Sequence, residues 1–216
     1  MILLDGVSKR YQLRGQPPRW VLRDTTCVIR PGDRLGILGR NGSGKSTLVR
    51  MLGGVEHPTM GRIERRMSVS WPLAHGIGVH SQLTGADNAR FIARLYGRPT
   101  EEIVRAVDDF AELGPYMQMP IATYSAGMMS RLLLGLSLSL DFDCYLIDEA
   151  TSVGDSRFIE RTEHILRTRL ENRAIVMVSH LGHHIRTFCR TAAILHDGAL
   201  IFFEDLDEAI ATYESL

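Results

Sequence analysis

The chain has 216 residues, 44% of them apolar and 23% charged, and carries no net charge at neutral pH. These values suit one globular domain, with or without an insertion, and exclude extended disorder. They also remove any overall electrostatic reason to bind nucleic acid.

The charge is unevenly spread: residues 1–50 hold ten Lys/Arg against three Asp/Glu, and residues 198–216 hold five acids and no base. A basic N-terminal part that binds an anionic ligand accounts for this, with a weak contact to anionic headgroups as the lesser alternative. Cys27, Cys144 and Cys189 are odd in number and scattered, which argues against a disulfide framework and for a reducing compartment. No secretory signal opens the sequence. The longest apolar run, residues 132–140, falls far short of the roughly 20 residues that span a bilayer. The chain is therefore expected not to cross a membrane itself.

In chain order, residues 1–4, 21–22 and 25–29 read as strands around a polar loop carrying Pro17-Pro18. Tyr11 lies in this region and either stacks on an adenine ring or is an ordinary half-buried tyrosine. The turn Pro31-Gly32 leads to the apolar run 35–38, then GRNGSGKST at residues 39–47, then the apolar segment 48–52. Strand, G-x-x-x-x-G-K-[ST] and helix together make a phosphate-binding loop. Gly39, Gly42 and Gly44 reach backbone angles closed to other residues, so that N–H groups from Asn41 through Ser43 to Lys45 can cradle a β-phosphate at a helix N-terminus. Lys45, one of only two lysines, would reach the β- and γ-phosphates, and Ser46, followed by Thr47, would ligate Mg²⁺.

Residues 61–69 look like a further strand. Between residues 87 and 119 the period changes to that of helices: Ala89, Ile92 and Tyr96 share one face, Ile103, Val107 and Phe110 another, and Thr100 is placed to cap the second helix. This is a helical insertion in an α/β core, and a long apolar helix follows at about residues 125–140. The strand at residues 144–149 ends in Asp148-Glu149. About a hundred residues after a phosphate loop, such a pair suits Asp148 to Mg²⁺ and Glu149 to polarising the water that attacks the γ-phosphate. Residues 173–179 make a buried strand ending at His180, within reach of a γ-phosphate. His180, His183 and His184 find no Cys or carboxylate at ligand spacing, which argues against a structural metal site. A hairpin around Asp197-Gly198 and an amphipathic helix at residues 205–213 close the chain.

The residues Tyr124-Ser125-Ala126-Gly127-Met128, opening a helix shortly before the Asp-Glu strand, resemble the signature motif of ABC-transporter ATPases, in the Tyr-Ser-x-Gly-Met form associated with polysaccharide exporters. The resemblance runs nearly the whole length of the chain. It implies a P-loop NTPase (RecA-like) α/β core with an antiparallel β subdomain and an inserted helical subdomain. The core would take about residues 1–86 and 131–216 of a single domain, and the helices about 87–130. It further implies that Tyr11 is the adenine-stacking residue, that Asp155 is the acid of the D-loop, and that His180 is the switch histidine. Ser125 and Gly127 would close over ATP held by the phosphate loop of a second copy, so the active form would be a head-to-tail homodimer.

Residues 78–88, GVHSQLTGADN, are similar to the Q-loop of capsule and O-antigen exporters, with His80 at the position of the usual Mg²⁺-contacting glutamine and Gln82 two residues later. The chain runs only a few residues past its last predicted helix, which makes the short, capsule-type ATPases the nearest match. The implied role is an ATPase, with ATP and Mg²⁺, on the cytoplasmic face of the inner membrane. It would power export of a cell-surface polysaccharide that is contacted mainly through a separate membrane permease. The competing readings are a soluble ABC ATPase acting on nucleic acid or ribosomes and a cassette that binds ATP without hydrolysing it.

Overall fold

The computed structural model describes residues 1–12, 15, 17–73, 78–148 and 156–216, apart from the side chains of Ser156 and Arg169. The elements run β1 (Ile2–Tyr11), β2 (Arg19–Ile29), β3 (Arg34–Leu38), α1 (Lys45–Leu52), β4 (Met60–Arg65), β5 (Val69–Pro72), α2 (Gly85–Leu95), α3 (Thr100–Ala111) and α4 (Ala126–Leu138). They continue as β6 (Cys144–Asp148), α5 (Ser156–Arg169), β7 (Ala174–Val178), α6 (Gly182–Phe188), β8 (Thr191–His196), β9 (Ala199–Phe203) and α7 (Leu206–Glu214). Two compact units result, one of Met1–Pro72, Phe142–Glu149 and Ile165–Leu216, the other of Leu73–Asp141 and Ala150–His164.

The first unit holds two sheets. One is antiparallel, in the order β2-β1-β4; the other runs β5-β6-β7-β3-β8-β9, parallel except for the final β8/β9 hairpin. Alternation along β3 explains how this unit closes. Leu35 and Ile37 join the core cluster with Leu48, Met51 and Leu52 of α1, Val176 and Val178 of β7, and Ile2 and Leu4 of β1. Gly36 points the other way, where a Cβ would lie 2.6 Å from Ile185 of α6, so only glycine lets that helix sit down on the sheet. At the β8/β9 turn Asp197 and Gly198 have φ of 46° and 82°, the two positive values of a type I′ turn.

Several elements differ from their sequence reading. β1 and β2 are longer than the short strands expected there, because register shifts between Leu4 and Val7, Val7 and Lys9, and Lys9 and Arg10 break the plain alternation. The single strand expected at residues 61–69 is two strands in two sheets. The chain leaves the first at Arg66, whose N–H donates to Met1 O (2.9 Å), and enters the second at Ser68, whose carbonyl accepts from Cys144 N–H (3.0 Å).

In the second unit Thr84, not a residue nearer 87, caps α2 by accepting from Asp87 N–H. Tyr96 lies past the end of α2 and is exposed, so Ala89 and Ile92 bury that face without it. Pro99 precedes α3, and Thr100 is its first helical residue and not its cap. This unit is larger than the segment 87–130 and takes in all of α4. Gly135 on α4 would place a Cβ 3.2 Å from the Phe110 ring and 3.3 Å from Val107 O, so α4 is packed closely on α3 and cannot be divided at residue 131.

Candidate functional site

Between β3 and α1 the chain makes a tight loop around the Lys45 side chain. Gly42 and Gly44 have φ of 80° and 112°, and a Cβ on Gly44 would fall 2.9 Å from Val21 Cβ of β2. Glycine is required there both by backbone angle and by space. Lys45 is only 7% exposed, and its ammonium donates to Gly39 O (2.6 Å) and Arg40 O (3.2 Å), which draws the loop around a positive charge. The hydroxyl of Ser43 is buried with no hydrogen-bond partner among the described residues. The first N–H groups of α1 have no partner within the helix and lie at its positive end.

This loop forms one wall of a cavity of about 510 Å³, lined by Tyr11, Pro17, Arg19, Val21, Asn41, Gly42, Gly44, Lys45, Ser46, Thr47 and Asp148. That is within the roughly 300–1,000 Å³ range of ligand sites. Of the residues expected at the nucleotide, the cavity gathers Tyr11, Asn41, Gly42, Gly44, Lys45, Ser46, Thr47 and Asp148; Gly39 and Ser43 belong to the loop but do not line it. Asp148 comes from β6, which is separated from β3 by β7 and does not lie directly beside it. The register sets Ile37, Val178 and Asp148 in one row across the three strands. At the usual strand spacing this puts Asp148 roughly 10 Å across the sheet from β3. Ser46 and Asp148 offer two oxygen donors in one cavity, which suits Mg²⁺, an ion that typically takes one or two protein oxygens, phosphate oxygens and waters. Among the described residues no cluster of three or more His, Cys, Asp or Glu could hold a metal without such help.

Tyr11 is 36% exposed, and its hydroxyl is anchored. It donates to Glu56 Oε1 and lies 3.2 Å from Thr47 Oγ1 on α1. Glu56 also binds Lys9 Nζ (2.9 Å) and Arg50 Nε (3.0 Å). Burial alone would raise the Glu56 carboxyl, but hydrogen bonds from Tyr11, Lys9 and Arg50 outweigh it and hold the group at about 2. Glu56 gave no motif in the sequence, because its partners come from β1 and α1. Arg19 and Val21 also went unread: the β1/β2 register brings them to the cavity, and that register shows only in the folded sheet.

Glu149 and Asp155 lie outside the described residues, and the expectations placed on them stand on sequence. His180 lies two residues past the end of β7, after the buried Ser179, and is exposed. In the second unit Ser125 caps α4 by accepting from Met128 N–H (3.2 Å), and a Cβ on Gly127 would meet nothing closer than Ser125 Oγ at 3.9 Å. The result is an open helix N-terminus with an exposed hydroxyl, the arrangement an anion requires. His80 is exposed, and its Nδ1 accepts from Gln82 N–H (3.3 Å). The fully buried Asn88 holds this loop: it accepts from His80 N–H (2.8 Å) and donates to the carbonyls of His80 (3.2 Å) and Thr84 (2.9 Å).

A six-stranded sheet whose central strand feeds a glycine loop and helix, with an acid at the end of a second parallel strand, defines a P-loop nucleotide-binding protein. Residues 22–152 match the family model described as ABC transporter. The chain is 46% identical to the capsule polysaccharide export ATP-binding protein CtrD of Neisseria meningitidis serogroup B over 216 residues, all of both chains. It is 45% identical to the ATP-binding protein BexA of Haemophilus influenzae, over 99% of this chain and 98% of that one. It is 39% identical to the polysialic acid transport ATP-binding protein KpsT of Escherichia coli, over 99% and 96%. The fold matches the ATP-binding cassette MJ0796, a dimer in a post-hydrolysis state bound to ADP and Pi, with a TM-score of 0.80 and 21% identity over 93% of this chain and 96% of that one. The chain belongs to the ABC transporter family and is its ATP-hydrolysing cassette.

Proposed function

We propose that this cassette powers the export of a cell-surface polysaccharide through a separate membrane permease, as a peripheral subunit on the cytoplasmic face of the inner membrane. The observation that carries the ATPase half is one cavity holding Tyr11, Lys45, Ser46 and Asp148 together. The cargo is inferred from relatives named for capsule polysaccharide and polysialic acid transport, matched over nearly their whole length. No described helix is long and apolar enough to cross a membrane.

In this reading the Tyr11 ring stacks on adenine. Lys45 and the α1 N-terminus hold the β- and γ-phosphates, and Ser46 and Asp148 hold Mg²⁺. When bound, that ion would supply positive charge to offset the charge developing on the phosphates. Glu149 orients and deprotonates the attacking water, and His180 steadies the γ-phosphate. Ser125 and Gly127 of a second copy close the site, so that two identical sites form across a two-fold homodimer. ATP binding closes the dimer and hydrolysis reopens it, and the permease is driven between access states. His80, on the loop held by Asn88, is assigned the contact with the permease and not with Mg²⁺.

Deleting the gene should abolish surface polysaccharide and leave it inside the cell, with rescue by the wild type and none by Lys45→Ala. Normal surface polysaccharide in the deletion strain, together with co-purification of ribosomes, would favour the nucleic-acid reading. Unchanged ATPase activity and export in His80→Ala would remove His80 from its role.

A further inference from the structure

We infer that Arg19 is a nucleotide-binding residue that grips the phosphate nearest the ribose, the α-phosphate. The inference rests on the reading that the 510 Å³ cavity takes ATP.

Arg19 opens β2 directly opposite Tyr11 in the antiparallel β1/β2 pair. Side chains directly opposite in such a pair stand on the same face, about 5 Å apart at Cβ. Both line the cavity. From this base-binding end the Arg19 guanidinium reaches the crest of the phosphate loop, where Nη2 donates to Gly42 O (2.5 Å). Arg19 thus spans the gap between the ring expected to stack on adenine and the loop expected to cradle the β-phosphate. In a nucleoside triphosphate that gap is occupied by the ribose and the α-phosphate.

Charge supports the same assignment. Among its neighbours, Lys9 and Arg50 pair with Glu56, and the Lys45 ammonium donates to Gly39 O and Arg40 O. Arg19 forms no ion pair among the described residues, and a single neutral carbonyl takes one of its five N–H donors. A guanidinium that lines a cavity without a carboxylate partner is a site for an anion, and its planar fork matches two phosphate oxygens. Its exchange from the Gly42 carbonyl to a phosphate would replace a neutral acceptor with a charged one.

The test is a ladder of ligands. ATP, ADP, AMP and adenosine compete with a fluorescent ATP analogue for the wild type, Arg19→Gln and Arg19→Lys. Arg19→Gln keeps a donor for Gly42 O and, at an exposed position, keeps the fold. It should weaken ATP, ADP and AMP alike by roughly five- to twentyfold and leave adenosine unchanged. Arg19→Lys should recover only part of the loss, since it restores the charge without the planar fork. If ATP and ADP weaken but AMP does not, Arg19 only braces the loop that holds the β-phosphate, and the proposal falls. It falls equally if adenosine weakens as much as AMP, or if nothing changes. A wild type that binds no ATP, or a Lys45→Ala variant that binds it normally, would instead overturn the nucleotide reading of the cavity.

Discussion

In the proposed reading Lys45 gathers the phosphates and Glu149 serves only turnover, and their variants should separate the two. Lys45→Ala removes the buried ammonium that gathers the loop, and both ATP affinity and turnover should drop in calorimetry and phosphate-release assays. Glu149→Gln retains shape and hydrogen bonding but loses the base. It should bind ATP normally and turn over at least a hundredfold more slowly, the contribution typical of general-base catalysis. Wild-type turnover in that variant would dismiss Glu149 as base. Glu56 makes a prediction of another kind. Its carboxyl is held from an ordinary 4.5 down to about 2, so its contribution to stability is complete above pH 4.5 and is lost as pH falls towards 2. Glu56→Gln should therefore destabilise the protein at pH 7 by about 1 kcal/mol, allowing for solvent screening, with the difference from wild type shrinking below pH 4. A constant difference across that range would refute the assignment.

Among the elements, β3, the glycine loop and α1 were legible from residue order, because the phosphate loop is local: glycine angles, a lysine and a helix start all within nine residues. The signature at Ser125 was legible for the same reason, since a serine cap and a following glycine act within one turn. What could not be read depends on register and packing. The place of Arg19 and Val21 beside the loop follows from how β1 pairs with β2 through three register shifts, and the joining of α4 to α3 follows from the lack of a side chain at Gly135. The motif at residues 78–88 ends on Asn88, but the clasp its buried side chain makes on the His80 loop shows only in the folded chain. Asn88→Ala strands the carbonyls and the N–H it now satisfies, at roughly 2–4 kcal/mol, and should lower the unfolding midpoint measurably. If His80 contacts the permease, the same variant should uncouple ATP hydrolysis from export. Full stability and full export would show that the clasp carries neither role.

At the scale of the whole molecule, the phosphate loop and the signature lie in the two separate units, and the family resemblance assigns them to the same nucleotide only when they come from different chains. Each copy would lend its Ser125 and Gly127 to its partner's Lys45, and an isolated monomer would hydrolyse poorly. The direct measurement mixes two variants that are each inactive: Lys45→Ala, with a dead loop, and Ser125→Arg, with a blocked signature. In a mixed dimer both defects fall in one site, and the other pairs an intact loop with an intact signature. The mixture should hydrolyse ATP although neither variant does so alone; a mixture as inactive as its components would rule out sites shared between two copies.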